Sequence, residues 1–444
     1  MKICAYVQEQ YAKANYKNEC LDTRQFVGLR VVIDAIERAG YEVEWAGKAT
    51  VHKYDVVLVS LTSDCDWWSY IAERIQWRKG EYKVIIGGAG LLHITPFLPF
   101  ADYFIWGRGE HITPELIKAI DKGTDFNSES AADSKTFSPD KIYKIAQADN
   151  PYPYKIPLYG NHDYQEGAIG CNHKCLFCGY TWHRKFLSDK DYYQMSGSLI
   201  GGMLHKELAM LDYASGKTDL NFSKLRTTAI DGFSERLRRS VNKPISDATL
   251  RQFLHDLIVS ETKPHQLKLY NLCGLPGETE DDWRELISAF EYTNDMATPS
   301  GKQWSIVLHT TPFRAMPATP MACAPMSYRN YRGEFGRILG KGLKGNIVYQ
   351  GRTLWTVESM GTDSLSTVIL SAIAHRGDAR DTENIIKIST NKKFWAASSP
   401  VKQATLEKYF DVGKLFKAYT PEELPSRYLR TYAKVERMWT KQWT

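Results

Sequence analysis

The strongest constraint on the fold comes from short apolar runs closed by small residues. Asp55-Val56-Val57-Leu58-Val59-Ser60, Tyr82-Lys83-Val84-Ile85-Ile86 and Tyr103-Phe104-Ile105-Trp106 lack the alternation of a half-wet strand. Strands that are apolar at odd and even positions alike must be covered on both faces, as in a parallel sheet flanked by helices. Lys2–Val7 and Tyr41–Trp45 read as two further strands. Between the strands, Phe26, Leu29, Ile33 and Ile36 recur at helical spacing up to Gly40, and Trp67, Tyr70, Ile71, Arg74 and Ile75 do so up to Gly80. Thr113 and Pro114 are expected as N-cap and first position of a further helix. The alternation predicts an α/β protein whose residues 1–122 form a doubly wound parallel sheet.

The expected order is of flavodoxin type, and ligands on such sheets bind beyond the carboxyl ends of the strands. Those ends carry Ser60-Leu61-Thr62-Ser63, Gly87-Gly88-Ala89-Gly90 and Gly107-Arg108-Gly109-Glu110. Glycines there also serve tight turns without any ligand. Residues 123–150 are polar and serine-rich and are expected to be a linker, after which Pro151, Pro153 and Pro157 lead into a second domain. With 444 residues the chain is too long for one ordinary core. At 43% hydrophobic and 24% charged it reads as a soluble globular protein. No apolar run reaches membrane-spanning length, and the first residues enter a strand pattern rather than a secretion signal, so no membrane partner is expected. Of eight cysteines, Cys4, Cys20, Cys65, Cys273 and Cys323 are scattered, which argues against a disulfide framework and for a cytoplasmic location.

The other three cysteines lie in Gly170-Cys171-Asn172-His173-Lys174-Cys175-Leu176-Phe177-Cys178-Gly179-Tyr180. A [4Fe-4S] cluster usually takes four cysteines, so three would leave one iron open to a ligand. Zinc would need a fourth ligand, for which His173 and His183 are the nearest candidates, and a disulfide would leave an odd thiol.

The spacing of Cys171, Cys175 and Cys178 resembles the radical SAM superfamily. The resemblance implies that the open iron holds S-adenosylmethionine, whose cleavage gives a 5′-deoxyadenosyl radical, with the backbone of Phe177 near the adenine. Further segments extend it. Thr227 to Lys243 resembles the "G-hydrophobic-E-x-x-S-x-R-(x)n-N-K" stretch of the B12-type subgroup, implying that Asp231, Ser234 and one of Arg238 or Arg239 face SAM. An arginine fork suits the SAM carboxylate; the alternative is an ordinary helix start capped by Ser234 with solvated arginines. His265–Leu272 is expected as a strand ending in Cys273-Gly274-Leu275-Pro276-Gly277-Glu278-Thr279, which matches the "G-L-P-G-E-T" turn, so Gly274, Leu275 and Pro276 are expected beside the adenine. Trp304–His309 is the next strand, with His309 near the cofactor, and Phe313–Met321 resembles "F-x-P-x-x-x-T-P", except that Arg314-Ala315 stands where a proline is often found. Leu199–Leu211 has a helical pattern, so Gly201-Gly202-Met203 is a poor candidate for the family's Gly-Gly-Glu strand end.

The resemblance covers about residues 1–325 and implies a partial (β/α)6 barrel over 151–328 after an N-terminal domain of B12-binding type. No Asp-x-His-x-x-Gly motif supplies a lower ligand to cobalt, and His52 and His93 lie in other contexts. Cobalamin therefore either binds without a protein histidine or is absent from a domain that keeps the fold. An electron donor such as flavodoxin or ferredoxin is implied as a partner.

Residues 329–444 are expected to form a basic, α-rich extension: from 331 onward they carry 19 Lys and Arg against 11 Asp and Glu, whereas the first 330 residues carry 38 against 40. Lys392-Lys393-Phe394-Trp395, Lys408-Tyr409-Phe410, Lys414-Leu415-Phe416-Lys417 and Arg427-Tyr428-Leu429-Arg430 interleave charge and aromatics. Such a surface can follow a DNA or RNA backbone and stack on bases, or its aromatics can form the core of a cap over the barrel. The expected activity is radical SAM hydrogen abstraction leading to rearrangement or methylation, with a modified nucleobase as a candidate substrate. Two alternatives remain: a cobalamin-dependent methyltransferase acting on a peptide or natural product, and a non-catalytic nucleic-acid-binding protein with a structural metal.

Overall fold

The computed structural model describes residues 1–9, 27–91, 93–124, 142–146, 152–158, 162–166, 168–169, 171, 173–182, 187–188, 198–200, 203–204, 209–216, 227–259, 266–294, 304–317, 319–331, 347–349, 352–361, 364–420 and 423. Two largely parallel sheets with their helices dominate it, giving a mixed α/β fold.

The first sheet holds β1 (Ile3–Tyr6), β2 (Val43–Ala46), β3 (Val56–Ser60), β4 (Lys83–Gly87), β5 (Tyr103–Gly107) and β6 (Ile142–Ala146). They are all parallel, in the order β2-β1-β3-β4-β5-β6. Helices α1 (Val27–Arg38) and α3 (Gly109–Lys122) cover one face and α2 (Asp66–Arg74) the other. The strand period of two explains the division. Ile3, Ala5, Val56, Leu58 and Ile85 meet Leu29, Ile33, Ile36, Leu116 and Ile117. Their neighbours Cys4, Tyr6, Val57, Val59, Val84 and Ile86 meet Trp67, Tyr70 and Ile71. Trp67 stacks on Phe97 with ring centroids 4.0 Å apart.

Two sequence expectations change here. The 123–150 stretch contains β6, which pairs with β5 and so belongs to the sheet rather than to a linker. Helix α3 begins at Gly109, so Thr113 and Pro114 lie inside it; the Thr113 hydroxyl donates to the Gly109 carbonyl at 2.6 Å.

Short antiparallel strands follow. β7 (Ile156–Leu158), β8 (His162–Glu166), β11 (Ser198–Ile200) and β12 (Met203–Leu204) form one sheet, and β9 (Ala168–Ile169) pairs with β10 (Leu187–Ser188). Helices α4 (Gly179–Trp182) and α5 (Ala209–Ala214) complete this region. The helix expected over Leu199–Leu211 is replaced by the β11–β12 pair, in which Ile200 is opposite Met203, and only its end is helical. A glycine pair disfavours helix and favours a hairpin turn; Gly201 and Gly202 themselves lie outside the described residues.

The second large sheet has the order β13-β14-β15-β17-β16. β13 (Thr227–Ala229), β14 (Gln266–Cys273), β15 (Trp304–Pro312) and β17 (Arg352–Gly361) are parallel, and β16 (Ile347–Tyr349) is antiparallel at the edge. Helices α6 (Glu235–Ser240), α7 (Asp247–Val259) and α8 (Glu280–Asn294) accompany it. Among the described residues this is a four-strand parallel run, not the six-stranded partial barrel expected over 151–328. β9, which leads into the cysteines, pairs with β10 instead. β17 carries the sheet past the expected boundary at 328/329. That pairing joins residues far apart in sequence, which local patterns do not register.

The last described helices are α9 (Leu365–Arg376), α10 (Thr382–Thr390), α11 (Lys392–Ala396), α12 (Ser399–Tyr409) and α13 (Val412–Phe416). They share one continuous core with the α2 face of the first sheet and with the second sheet. Arg376, fully buried, donates to the carbonyls of Ala322, Ala324, Leu415 and Lys417 at 2.6–2.9 Å and so ties the loop after β15 to the end of α13. Among the described residues, no helix is long and apolar enough to cross a membrane.

Candidate functional site

The three clustered cysteines lie on the connection from β9 to α4. Cys175 is buried, while Cys171 and Cys178 are half-buried, and among the described residues none of the three is in a disulfide. The Cys178 N–H donates to the Cys175 carbonyl at 3.2 Å, and the Trp182 indole N–H donates to the same carbonyl at 2.9 Å. A second segment, the turn after α6, straps this loop in place. The Leu176 N–H donates to the Val241 carbonyl at 3.0 Å, and the Asn242 amide donates to the Lys174 carbonyl at 3.0 Å. The Met321 N–H donates to the Leu176 carbonyl at 3.3 Å, which brings in the loop after β15.

Among the described residues, three without glycine's freedom have positive φ: Lys174 (52°), Asp231 (53°) and Asn242 (58°). All three belong to this strapped assembly, the first and last through the bond just given. Asp231, at the carboxyl end of β13, pairs with Lys243 in the adjoining turn. Left-handed backbone costs an L-residue about 1–2 kcal/mol, and such strain gathers where a site over-determines the chain.

The Lys243–Asp231 pair is buried, with the lysine side chain 0% exposed. Burial pushes the Cys175 thiol up to about 12, and the Lys243 charge opposes that rise more strongly than Asp231 adds to it. A metal overturns such a shift, because a coordinated thiol is deprotonated outright. Among the described residues no group of three or more His, Cys, Asp or Glu side chains converges on one ion position, as a lone zinc would need. A cubane cluster asks for something different, since each thiolate binds its own iron and the thiols must surround a volume. Cys178 and Cys171 both lie near enough to Cys175 to raise its thiol further, so the strapped loop gathers three thiols in one neighbourhood, the donor set such a cluster takes.

The other expected site residues divide. Ser234 caps α6: its hydroxyl accepts from the Leu237 N–H and donates to Asp282 at 2.5 Å. Arg238 is 0% exposed; its fork donates to the carbonyls of Gly232, Phe233 and Ile245 and pairs with Asp247. Arg239 lies in solvent beside Glu235, its side chain 67% exposed. The structure thus favours the capped-helix alternative for Ser234 and makes Arg238 an internal brace. The buried basic residue acting on Cys175 is instead Lys243, the last position of the "N-K" stretch, to which the sequence reading gave no role.

The turn after β14 keeps its glycines for close approach. At Gly274 (φ 72°) a Cβ would lie 2.8 Å from the Tyr331 hydroxyl and 3.0 Å from the Ser327 Cβ. Thr279 and Asp282 start α8, the carboxylate accepting from the Thr279 N–H at 2.7 Å. Glu278 accepts from the Trp283 indole at 2.8 Å, and burial pushes its carboxyl up to about 7 against that bond and the backbone N–H donors of Gly274 and Leu275. Leu275 is buried, whereas Pro276 and Phe177 are half-buried.

His309 stands opposite Tyr270 on neighbouring strands, their rings edge to face with centroids 5.4 Å apart. Lys268 lies with its ammonium 4.8 Å from the Tyr270 ring centroid. Lys268, Tyr270, Leu272, His309 and Thr311 are half-buried, while Leu267, Leu269, Cys273 and Leu308 between them are fully buried. One face of this sheet is therefore core, and the other is a partly open polar face. The alternation Leu267-Lys268-Leu269-Tyr270 carried that signal in the sequence.

Among the described residues, the first sheet has no comparable face at its carboxyl ends. A Cβ on Gly90 would lie 2.1 Å from the Ser63 carbonyl and one on Gly88 2.3 Å from that of Leu61, so these glycines let the loops after β3 and β4 touch. Asp66 accepts from the Thr62 N–H at 2.6 Å and the Ser63 N–H at 2.9 Å. Asp64 meets Arg314 at 3.4 Å, His375 at 3.1 Å and the Ser371 hydroxyl. Burial alone would raise the Asp64 carboxyl; His375 and Arg314 together reverse this and hold it well below the usual range. His93 is buried with Nε2 2.7 Å from the Gly377 carbonyl, and burial pushes its pKa down to about 4. His93 thus turns inward from the loop after β4, His52 precedes β3 at the other end of the strands, and residues 7–26, which follow β1 in sequence, contain no histidine. A cobalamin ligated by a histidine after β1 does not fit these residues.

No family model matches the sequence. Over 286 residues it is 24% identical to the uncharacterized protein MJ0966 of Methanocaldococcus jannaschii, a match covering 54% of this chain and 63% of that protein. The solved structure of apo, SeMet-labeled cobalamin-dependent S-adenosylmethionine radical enzyme OxsB aligns with 98% of this chain and 61% of its own at 10% identity and a TM-score of 0.25. Likeness at that level carries no argument about fold or chemistry. The chain spans less than two thirds of the length of either protein.

Proposed function

We propose that this protein is a radical SAM enzyme whose cluster is held by Cys171, Cys175 and Cys178. The observation that carries the reading is the strapped cysteine loop at the carboxyl end of the second parallel sheet, with its three left-handed residues. A [4Fe-4S] cluster there would supply the electron that cleaves SAM to a 5′-deoxyadenosyl radical, and the three thiols leave the fourth iron for SAM. The chain's own part is to hold the thiols, exclude water and present the substrate. The partly open face of Lys268, Tyr270 and His309 is the surface on which a reacting molecule is positioned. In finer terms, the first sheet is of flavodoxin type, the second is part of a (β/α)6 barrel, and a flavodoxin or ferredoxin delivers the electron.

A modified nucleobase in DNA or RNA is the proposed substrate class. Trp395 is 37% exposed on α11, Lys392 and Lys393 shortly precede it in sequence, and the Lys402 ammonium is 5.9 Å from its ring centroid. An exposed indole among lysines suits a base next to a phosphate chain. By contrast, Phe394, Phe410 and Phe416 are buried, so most of the interleaved aromatics serve the cap. Arg427 to Trp439 lie outside the described residues.

Anaerobic incubation with SAM and a strong reductant, with and without cobalamin, tests the reading by mass spectrometry. 5′-Deoxyadenosine in both reactions, lost in Cys175→Ala, is the expected result. S-adenosylhomocysteine formed only with cobalamin would move the reading to methyl transfer. Zinc in place of iron, with neither product, would overturn it. Binding to DNA or RNA that does not weaken with salt, or no binding at all, would remove the nucleic-acid substrate.

A further inference from the structure

We infer that Lys243 is a positioning residue of the cysteine site: its buried ammonium, steered by Asp231, compensates the negative charge of the thiolates and so sets the ease with which the bound cluster is reduced. This rests on the cluster reading above.

A lysine is almost never fully buried without a reason, because desolvating an ammonium is costly even when it is paired. Lys243 is 0% exposed, and among its described contacts the ion pair is with Asp231 alone. Both partners stand on strained or fixed backbone. Asp231 has φ 53°, the Gly232 N–H next to it donates to the Asn271 side chain at 2.7 Å, and the Lys243 N–H donates to the Arg238 carbonyl at 2.8 Å. The two residues before Lys243 make the bonds that hold Leu176 and Lys174. The pair is thus anchored to the same turn that fixes the cysteine loop.

The turn that carries Lys243 is bonded directly to the cysteine loop, through Val241 to Leu176 and through Asn242 to Lys174, so its buried ammonium is held next to the segment that bears the thiols. Three thiolates around a cluster make an anion that gains another negative charge on reduction. A fixed ammonium beside it stabilises the reduced form, and a fixed carboxylate destabilises it. In a buried setting neither effect is screened away.

The test uses the full chain, reconstituted with iron and sulfide, as wild type, Lys243→Met, Asp231→Asn and Lys243→Arg. Iron content and the midpoint potential from a redox titration followed by EPR are the readouts, and neither depends on turnover. Lys243→Met is expected to disfavour reduction about tenfold, which is ~59 mV downward for one electron. Asp231→Asn is expected to move the potential upward, and Lys243→Arg to stay near wild type. Opposite signs in the two neutral variants are what a merely structural pair would not produce. Lys243→Met holding full iron with an unmoved potential overturns the inference, as do shifts of the same sign. If Lys243→Met fails to fold, Asp231→Asn decides alone: an unmoved or lowered potential overturns the inference. Wild-type protein that assembles no cluster defeats the cluster reading itself, a result distinct from all of these.

Discussion

The two parallel sheets put their carboxyl ends to opposite uses. Beyond the first sheet the loops are packed together: Gly88 and Gly90 let Leu61 and Ser63 approach, Asp66 collects backbone donors, and Asp64 and His93 reach into the α9 region. Beyond the second sheet lie strained non-glycine residues, a buried lysine paired with a carboxylate, three thiols outside any disulfide and a partly open polar face. A shared architecture therefore does not share a function between its copies. Where polar groups are fully engaged with the chain, an edge is scaffold; where the chain tolerates strain around reactive groups, it is a site.

The largest expected effect separates the two edges outright. On the proposed reading Cys175→Ala removes a cluster ligand, so iron bound after reconstitution and 5′-deoxyadenosine are expected to fall to background while the thermal melt stays close to wild type. Asp64→Ala does the reverse. It leaves Arg314 and His375 without their buried carboxylate, at a cost of about 3 kcal/mol, but keeps the cluster iron; denaturant unfolding together with iron analysis checks both. Because the folded Asp64 value is depressed, its stabilisation is complete above the unfolded carboxylate range and is lost as pH falls below it. Asp64→Asn is therefore expected to flatten the acid limb of the stability profile. If Asp64→Ala also emptied the cysteine site, the division between the edges would fail.

Much of this contrast was visible in the sequence, and the rest was not for identifiable reasons. Apolar runs such as Val56–Val59 must be covered on both faces, and this marked the first sheet. The cysteine spacing marked the loop. β6 was missed because it sits inside a polar stretch and forms by adding to a finished sheet edge. Leu199 to Leu204 satisfy helical and hairpin spacing alike over so short a span, and the glycines between them decide for the hairpin. Arg238 looked like a ligand-facing cation, because nothing local shows that Ile245 and Asp247 would fold back onto its fork. Asp64 meets His375 only in three dimensions, some three hundred residues away in sequence. Lys243 was quoted as the end of a motif but could gain a role only once Cys175 lay beside it.

A smaller effect concerns the turn after β14, at the second edge. Burial lifts the Glu278 carboxyl to about 7, so in the folded state it keeps its proton to a higher pH than in the unfolded chain. The folded state then binds more protons between the two values, and stability must fall as pH rises from about 4.5 to about 7. The loss is on the order of 2 kcal/mol, allowing for the carboxyl's partial exposure. Glu278→Gln should remove that slope in urea melts taken across the range. A slope that survives the substitution would place the titrating group elsewhere.

The smallest stability effect gives the finest test. Tyr270 and His309 meet edge to face at 5.4 Å on the partly open side of their strands, a contact worth about 0.5–1.5 kcal/mol beyond simple burial. His309→Leu should therefore cost about 1 kcal/mol in a thermal melt, and no more. At a scaffold edge, function would decline only as far as stability did. At a site, the two separate: turnover of the substrate falls about a hundredfold or more, while cluster iron and folding stay near wild type. His93→Leu, at the first edge, should show the opposite ratio, since its ring is buried and its Nε2 faces the Gly377 carbonyl at 2.7 Å. It is the ratio of lost turnover to lost stability, compared between these two histidines, that tells whether the second edge is where the chemistry occurs.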